Sequence, residues 1–275
     1  MDAGALGRAV ELLGQFNDEL THLIDASFGT HWAEIEEMVA LVALAAEGAV
    51  STRRLSDVSG LHRRAVTRLV TRLCTRGLVV TRRSAADGRV VEVVLTRTGQ
   101  RRANALRSSS AHFFVRRRSL AAEISAGMQA NGSARLPPAP GDALDLLRRV
   151  CDEGALLVRF MPEAATHGLL AARQRAALVM VVMQGRVRPS ELAPLLEVSR
   201  AGAAYIVDQL CAKGFTTRLR GVVPEDRRAV VLVPTAEGIQ AVAAVMQGIE
   251  HRREPIAELF AEVAAWRPAD RGQKT

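Results

Sequence analysis

The sequence predicts a mainly α-helical protein of the α+β class, in which two similar domains with small β-hairpins are joined by a helical bundle. Apolar residues recur at intervals of three and four over most of the chain. Two short segments rich in β-branched residues each follow a helical segment. The second half of the 275 residues repeats the first at a nearly constant spacing. This length accommodates two ordinary domains.

The first two helices are predicted from apolar spacing alone. Residues 5–28 carry leucines, Val10 and Phe16 at helical intervals, and Gly29-Thr30 interrupts the pattern. A second helical run extends from Trp32 to Glu47 and stops at Gly48. These segments precede the region around which the rest of the chain is organised.

That central region, Ser51 to Gly99, predicts a short helix, a turn, a second helix and a hairpin. Ser51 or Thr52 caps the first helix, and Ser59-Gly60 breaks it. Gly77 ends the second helix as a glycine just beyond the last turn. Two strands follow, at residues 79–82 and 90–95, and Asp87-Gly88 forms the turn between them.

The second helix of this region has one apolar face and one basic face. Its apolar face holds Val66, Leu69, Val70 and Leu73. The opposite face is formed by arginines and threonines: Arg63, Arg64, Thr67, Arg68, Thr71, Arg72, Thr75 and Arg76. From Ser51 to Arg102 the chain has 13 arginines and three acids, Asp57, Asp87 and Glu92, a net charge of +10. The simple alternative is a solvated charged face, but this imbalance favours binding of a polyanion.

Several spaced elements of this region together resemble the MarR family of regulators. They are the small-residue turn, Leu61, Val66-Thr67-Arg68-Leu69-Val70, Leu73, Arg76-Gly77-Leu78, Asp87-x-Arg89 and Leu95-Thr96-x-x-Gly99. The resemblance implies winged helix-turn-helix domains, with a recognition helix in the major groove and a hairpin wing reaching the minor groove. It also implies dimerisation through terminal helices, and often a small ligand that weakens DNA binding.

The remainder of the chain repeats this pattern. A helical stretch begins at Gln100 and runs with interruptions to about Gln129, and residues 131–141 read as a linker. Asp142 is predicted to cap the next helix, which is broken near Pro162, and residues 236–265 are predicted as one closing helix. The predicted modules are residues 1–130 and 142–266, followed by a polar tail at 267–275.

The repeat spacing is 137 residues up to the wing and 139 beyond it. Leu192, Val198, Cys211 and Lys213-Gly214-Phe215 correspond to Leu55, Leu61, Cys74 and Arg76-Gly77-Leu78. The resemblance to the MarR family implies a dimer of two identical chains. The internal repeat therefore predicts a pseudo-dimer within one chain. A conventional homodimer of the fused chain stays open.

The two halves differ where DNA would be read. Arg64, Thr67, Arg68, Thr71 and Arg72 are replaced by Ala201, Ala204, Tyr205, Asp208 and Gln209. Residues 188–241 hold seven basic and six acidic residues, a net charge of +1. Either the sequence of the second helix has drifted and this helix still binds DNA normally, or the two modules are unequal and the first binds DNA more strongly. The side chains of Ala204 and Tyr205 are suited to contact thymine methyl groups or the DNA backbone.

The predicted DNA contacts come from both halves. In the first half they are Arg53, His62, Arg63, Arg64, Thr67, Arg68, Arg72, Arg82, Arg83 and Arg89. In the second half they are Ser199, Arg200, Arg218, Arg220, Arg227 and Arg228. His62 either contacts DNA or caps its helix. Asp87 and Asp226 are predicted to orient the wing arginines, although Asp-Gly also favours such a turn by itself.

Composition limits the other functions. A net charge of +8 and a pI near 10.7 favour a nucleic-acid partner. The chain has no apolar run of membrane-spanning length and no signal-like start, so no membrane partner and a cytoplasmic location are expected. The six histidines have no metal or triad spacing, and no glycine-rich phosphate loop precedes a lysine. We therefore expect no enzyme activity, metal or cofactor.

Two further expectations depend on the resemblance. Relatives bind small aromatic or phenolic ligands near the joint between terminal helix and reading domain, where His22, Phe28, His31 and Trp32 lie. Core packing is the competing role for Trp32. Some relatives sense oxidants through a cysteine in the first helix, and Cys151 has that position in the second half. Redox sensing would require an ionised thiol.

The function predicted from the sequence is sequence-specific binding of double-stranded DNA by a transcriptional regulator, a repressor, with a stronger first module. The alternative is a ligand-binding or protein-interaction regulator that keeps the fold and reads DNA weakly or not at all. The basic face of the first half favours the DNA-binding interpretation.

Overall fold

The computed structural model describes residues 3–29, 35–84, 87–129, 141–158, 170, 172–220 and 229–268. The elements in these ranges are mainly helical with small antiparallel hairpins, which confirms the predicted fold class. In chain order they are α1 (Ala3–Phe28), α2 (Ile35–Glu47), β1 (Ala49–Ser51), α3 (Thr52–Ser59), α4 (Arg63–Thr75), β2 (Val79–Arg83), β3 (Val91–Leu95), α5 (Arg97–Arg116), α6 (Arg118–Met128), α7 (Ala143–Val158), α8 (Ala172–Gln184), α9 (Pro189–Leu195), α10 (Arg200–Ala212), β4 (Thr216–Arg220), β5 (Val230–Pro234), α11 (Ala236–His251) and α12 (Arg253–Ala265).

The chain divides into two units. The first unit contains Met1–Ala155 together with Arg252–Thr275, and the second contains Leu156–His251. These units differ from the two halves of the sequence repeat, because α12 and most of α7 lie in the first unit. The predicted linker at 131–141 lies outside the described residues except for Gly141.

Local hydrogen bonds determine where α3 and α4 begin. The Ser51 hydroxyl accepts a hydrogen bond from the Arg54 amide at 3.0 Å and caps α3. Gly60, with φ of 73°, ends that helix and donates to the Ser56 carbonyl. The His62 ring then caps α4, because Nδ1 accepts from the Ala65 amide at 3.0 Å. The structure thus favours the capping role of His62.

The first unit contains a three-stranded sheet rather than a simple hairpin. The strand order is β1-β3-β2, with both pairs antiparallel. The sequence pattern did not predict β1, which is only three residues long. Its central residue, Val50, is buried and pairs with Val93. In the second unit, Val187 forms only an isolated bridge with Leu232 beside the β4–β5 hairpin.

The Thr-x-x-Gly pattern after each hairpin has the same geometry in both units. Thr96 Oγ1 donates to the Gly77 carbonyl at 2.7 Å and accepts from the Gly99 amide at 3.0 Å. Thr235 repeats these bonds to Gly214 and Gly238 at 2.6 and 3.1 Å. A Cβ added at Gly99 would lie 2.0 Å from the Leu78 carbonyl oxygen. Only glycine fits at this contact between helix and strand.

A bundle in the first unit joins α1, α5, α6, α7 and α12. Phe16 of α1 packs edge-on against Phe113 of α5 and Phe260 of α12, with ring centroids 4.9 Å apart in both pairs. Phe114 packs against Trp266, directly after α12, at 5.9 Å. All of these rings are buried. The core of the first unit therefore contains residues from both ends of the chain.

Helices α6 and α12 contact each other reciprocally and run antiparallel. Arg118, at the start of α6, donates to the Trp266 carbonyl at 3.3 Å, beyond the end of α12. Arg253, at the start of α12, donates to the Met128 and Gly127 carbonyls at the end of α6, at 3.3 and 3.4 Å. Each arginine thus satisfies carbonyls at the C-terminus of the other helix.

Two ion pairs in the bundle also correspond to each other. Arg117 between α5 and α6 pairs with Glu19 of α1. Arg252 between α11 and α12 pairs with Glu153 of α7, with Nη2 2.8 Å from Oε2. The partners are 98 and 99 residues apart in sequence. The arrangement relates α1 to α7 and α6 to α12.

The single closing helix predicted for residues 236–265 is a wrong prediction, since α11 ends at His251 and α12 begins at Arg253. Pro255 lies in the first turn of α12 and has no amide hydrogen, so it cannot continue the hydrogen-bond ladder of α11. A similar break at Arg117 separates α5 from α6.

Candidate nucleic-acid interface

Helix α4 exposes a basic face above a buried apolar face. Val66, Leu69, Val70 and Leu73 are buried in the first unit. The opposite face is exposed along the whole helix, and its members are Arg63, Arg64, Thr67, Arg68, Thr71, Arg72 and Thr75. The buried face and the His62 cap hold the helix in place, so the exposed side chains project from a fixed backbone.

Three arginines on this face have no competing anion within the protein. No hydrogen bond or ion pair engages the guanidinium groups of Arg63, Arg64 and Arg68 in the part of the chain that the structure describes. By contrast, Arg72 pairs with Glu37 of α2, with Nη2 2.8 Å from Oε2. The first two turns of α4 therefore present cations that are available to an external anion.

The predicted contact on α3 is partly neutralised. Arg53 lies 3.9 Å from Asp57, four residues later, and both side chains are largely exposed. Such a surface pair contributes little to stability and is easily exchanged for another anion. Arg53 therefore remains accessible beside the basic face of α4.

The wing of the first unit, formed by β2 and β3, carries three arginines among its described residues, which differ in their partners. Arg82 pairs with Glu92 across the two strands at 3.2 Å, and Arg83 donates to the Gly88 carbonyl at 3.2 Å. Hydrogen bonds from Ser84 and Arg82 lower the pKa of Glu92, which keeps this carboxylate ionised. Arg89 is exposed in the turn.

Asp87 contacts the backbone of Arg89 and not its side chain. Its Oδ1 atom accepts a hydrogen bond from the Arg89 amide at 2.9 Å, as in an Asx turn. The expectation that the carboxylate orients the guanidinium is therefore replaced by a simpler role. Asp87 orders the turn backbone, and the Arg89 side chain extends from that turn. Asp226, the corresponding residue, lies outside the described residues.

Arg76 has a contact that the sequence did not indicate. It was predicted as part of the basic face, but its Nη1 atom donates to the carbonyls of Phe28, at 3.1 Å, and Gly29. These carbonyls lie at the end of α1. No sequence pattern signals such a contact between residues 47 and 48 positions apart.

The corresponding surface of the second unit is less basic. Arg200, Ala201, Ala204, Tyr205 and Asp208 are exposed on α10, and Tyr205 is 61% exposed. The Ser199 hydroxyl accepts from the Gly202 amide at 3.0 Å and therefore caps the helix. The structure thus shows a capping role for Ser199, and its predicted DNA contact stays a prediction.

The wing of the second unit, formed by β4 and β5, has lost part of its free charge. Arg218 on β4 pairs with Asp208 on α10. The hydrogen bond to Asp208 raises the pKa of Arg218 above its ordinary value, so the pair stays charged. Arg220 is exposed at the end of β4, whereas Arg227 and Arg228 lie outside the described residues.

The predicted ligand residues are only partly described. His22 is half-buried on α1, and Phe28 is buried at the end of the same helix. Burial raises the pKa of the Asp18 carboxyl, one turn before His22, and the charge of His22 partly offsets this effect. His31 and Trp32 lie outside the described residues. Of the four predicted ligand residues, two are therefore described, and both lie on α1.

Cys151 lacks the environment of a reactive thiol. It is 1% exposed on α7, and burial raises its pKa to about 12. A redox sensor requires a thiol that is ionised near neutral pH and accessible to an oxidant. Neither condition holds at this position.

Two kinds of feature are absent from the described ranges. No helix there combines the length and apolar content needed to cross a bilayer. The same ranges bring together no group of three or more histidine, cysteine, aspartate or glutamate residues suited to a metal ion.

Comparison with known proteins relates the central region to one family. Residues 34–90 match the model of the MarR family. This segment extends from the start of α2 to the turn of the first wing. No curated protein matches the chain.

Three solved structures are similar to parts of the chain. One is the transcriptional regulator PA4135, with 20% identity over 39% of this chain and 79% of that one, and a TM-score of 0.32. Another is a probable transcriptional regulator from Pseudomonas aeruginosa, with 25% identity, coverage of 40% and 80%, and a TM-score of 0.31. The third is BpsR of Bordetella bronchiseptica, whose title describes regulation of its DNA binding by 6-hydroxynicotinic acid, with 21% identity, coverage of 38% and 80%, and a TM-score of 0.30.

Proposed function

We propose that the chain is a transcriptional repressor that binds double-stranded DNA by sequence through α4. The observation that carries this proposal is the exposed row of Arg63, Arg64 and Arg68 on a capped helix. An α-helix fits the major groove of B-DNA, and arginine is the commonest reader of guanine edges there. The match of residues 34–90 to the MarR family supports the same function.

In this proposal the wing supplies a second contact. Arg89 extends from a turn that Asp87 holds by its backbone. A narrow minor groove concentrates negative potential and attracts an inserted arginine. Since Arg82 and Arg83 already have partners within the wing, Arg89 is the principal minor-groove contact of this element.

We further propose that one chain forms a pseudo-dimer with two modules, residues 1–130 and 142–266. The reciprocal contacts of Arg118 and Arg253 support this arrangement, because a two-fold interface forms each contact twice, once in each direction. The matching pairs of Arg117 with Glu19 and Arg252 with Glu153 support it further. The fused bundle thus takes the place of an interface between two chains.

The two modules of this pseudo-dimer are unequal in our proposal. The first presents free arginines, whereas α10 presents alanines and Tyr205, and Asp208 neutralises Arg218. The second module therefore contributes fewer phosphate contacts. An alternative role for the second module is docking of a protein or small ligand, and the exposed ring of Tyr205 favours that candidate.

A small aromatic or phenolic ligand at the joint between α1 and α2 completes the proposal. His22 and Phe28 lie on the last two turns of α1, which leads directly into this joint. Binding there would alter the position of the reading domain and weaken DNA binding. The protein requires no cofactor in this role.

The test is selection of duplexes from a random library, followed by affinity measurements over a range of salt concentrations. Replacing Arg64 and Arg68 together by alanine should weaken binding by roughly 2–6 kcal/mol if both are direct contacts. The salt slope should fall by about 0.9 for each lost phosphate contact. The double variant Arg8→Ala with Arg116→Ala removes the same charge from exposed bundle positions and should leave the affinity nearly unchanged.

The selected sequences test the inequality of the modules. We expect one strongly specified half-site and one tolerant half-site. A palindrome with equal information in both halves would contradict unequal modules. Equal losses from the two double variants would contradict reading by α4 itself.

A further inference from the structure

Arg76 joins the end of the reading helix to the end of a bundle helix. It follows α4 directly, and its guanidinium donates to the carbonyls of Phe28, at 3.1 Å, and Gly29. The last carbonyls of a helix lack partners within the helix and carry a partial negative charge. A guanidinium at this position forms charge-assisted hydrogen bonds, which are stronger than neutral ones.

The backbone at Gly29 is shaped for this contact. Gly29 has a φ of 66°, a conformation that glycine adopts without strain. A Cβ added there would lie 3.1 Å from Nη1 of Arg76. The absence of a side chain therefore leaves the space that the guanidinium occupies.

A second arginine strengthens the same connection. Arg72, one turn before Arg76, pairs with Glu37 in the first turn of α2 at 2.8 Å. The C-terminal turn of α4 is thus attached both to the end of α1 and to the start of α2. The exposed arginines that we assign to DNA reading lie earlier on the same rigid helix.

We propose that Arg76 is a positioning residue for DNA reading, which fixes the end of α4 on the end of α1 and makes no DNA contact itself. The proposal rests on the function proposed above. Through this tie, the 26-residue helix α1 sets the position of the reading helix relative to the bundle. A helix that is already correctly placed binds more tightly, because less motion has to be lost on binding.

The second unit has a different contact at the corresponding position. Lys213 occupies the position that corresponds to Arg76, and its Nζ donates to the Gln174 side chain on α8 at 3.3 Å. Lysine is a point charge, whereas the arginine fork can hold two acceptors in a fixed geometry. Lys213 therefore contacts the helix that corresponds to α2, and the positions that correspond to Phe28 and Gly29 lie outside the described residues.

The first measurement compares Arg76→Ala and Arg76→Lys with the native chain on a selected duplex at several salt concentrations. Arg76→Ala should weaken binding about tenfold, because the end of α4 is then less firmly placed before DNA binds, while the salt slope stays unchanged. Arg76→Lys should recover part of the affinity. A slope reduced by about 0.9 would indicate a direct phosphate contact and overturn the proposal.

The second measurement disturbs the tie from its other side. Gly29→Ala places a methyl group against the guanidinium, whereas Gly48→Ala has a similar positive φ of 72° with nothing within 4 Å of the new Cβ. Both variants therefore carry similar backbone strain, but only Gly29→Ala should weaken DNA binding. Combining Gly29→Ala with Arg76→Ala should add little to the larger single effect, since both remove one interaction. Equal effects of the two glycine variants would contradict the tie.

Hydrogen exchange without DNA separates this proposal from the proposed function. Amides in the last turn of α4 should exchange faster in Arg76→Ala than in the native chain, with partial protection restored in Arg76→Lys. Unchanged exchange would overturn the tie whatever the DNA affinity. Faster exchange in a chain that binds no duplex would retain the tie and reject DNA reading.

Discussion

Asp208 of α10 holds the guanidinium of Arg218 on β4, so a residue on the exposed face of α10 neutralises an arginine of the β4–β5 wing in the same unit. In the first half the corresponding helix position is Thr71, which carries no charge. The presence of Asp208 in place of a threonine therefore has two effects on the second unit. It adds a carboxylate to the exposed face of α10, and its ion pair neutralises the charge of Arg218 on the wing.

Asp208→Asn should restore some DNA affinity to the second module. Loss of the carboxylate removes repulsion and frees Arg218 for a phosphate, so affinity should rise by about 1 kcal/mol and the salt slope by about 0.9. Glu258→Gln, which changes the same charge at an exposed position of α12, should have little effect. An increase of similar size in both variants would mean that only net charge matters. Titration of a selected duplex at several salt concentrations provides the measurement.

Arg89→Ala should weaken DNA binding without changing the fold. The side chain is exposed and its turn is held by Asp87 through the backbone amide, which alanine retains. Loss of a groove contact should cost about 1–3 kcal/mol. Affinity at a fixed salt concentration is the readout, and circular dichroism verifies the fold. Native affinity in this variant would remove the first wing from the interface.

Arg253→Met should destabilise the bundle. The buried guanidinium satisfies carbonyls at the end of α6, and their loss should lower the free energy of unfolding by about 1.5–3 kcal/mol. Arg118→Met should act in the same direction through the reciprocal contact, whereas exposed Arg116→Met should be nearly neutral. Urea denaturation compares the three variants.

The same bundle predicts a monomer in solution. Sedimentation of the native chain should give a mass near 29.6 kDa, because helices from both halves already pack together. A stable mass of twice this value would contradict the pseudo-dimer and favour a homodimer of the fused chain.

Cys151 should resist alkylation by iodoacetamide at neutral pH. Burial raises its pKa to about 12, so the thiol stays protonated at pH 7, and the sulfur is inaccessible. The half-buried Cys74 and Cys211 should react first. Rapid labelling of Cys151 in the folded chain, detected by mass spectrometry, would restore the redox hypothesis.

The raised pKa also predicts a pH dependence of stability. The folded state keeps the Cys151 proton, whereas the thiol of the unfolded chain loses it near its ordinary pKa of 9.0. This contribution to stability is therefore complete below pH 9 and is lost as the pH rises towards about 12. Cys151→Ala should show a shallower decline over this range. Parallel curves for the two proteins would contradict the assigned pKa.

Local sequence patterns predicted α3, α4 and the first wing well. Their apolar spacing, the Ser51 cap and Gly77 act over a few residues, so they can be read directly from the sequence. The sequence did not predict β1, because a segment of three residues shows no periodicity. This segment forms a strand because it pairs with β3.

Contacts between distant residues limited prediction of the site. The basic face of α4 was predicted as a single set, but Arg72 and Arg76 are directed towards Glu37 and the end of α1. The choice between an external and an internal partner depends on which acceptor the fold brings within reach. Ser199 illustrates the same point on a smaller scale, because its hydroxyl is used by the helix that it caps.

The contact of α6 with α12 within one polypeptide has a consequence for dose response. An ordinary two-chain repressor must first associate, so at low copy number its active fraction falls with dilution. Where both helices are covalently joined, the partner is present at a fixed effective concentration. For the pseudo-dimeric repressor proposed above, the fraction of assembled protein is then independent of expression level, and operator occupancy follows the number of chains linearly at low abundance.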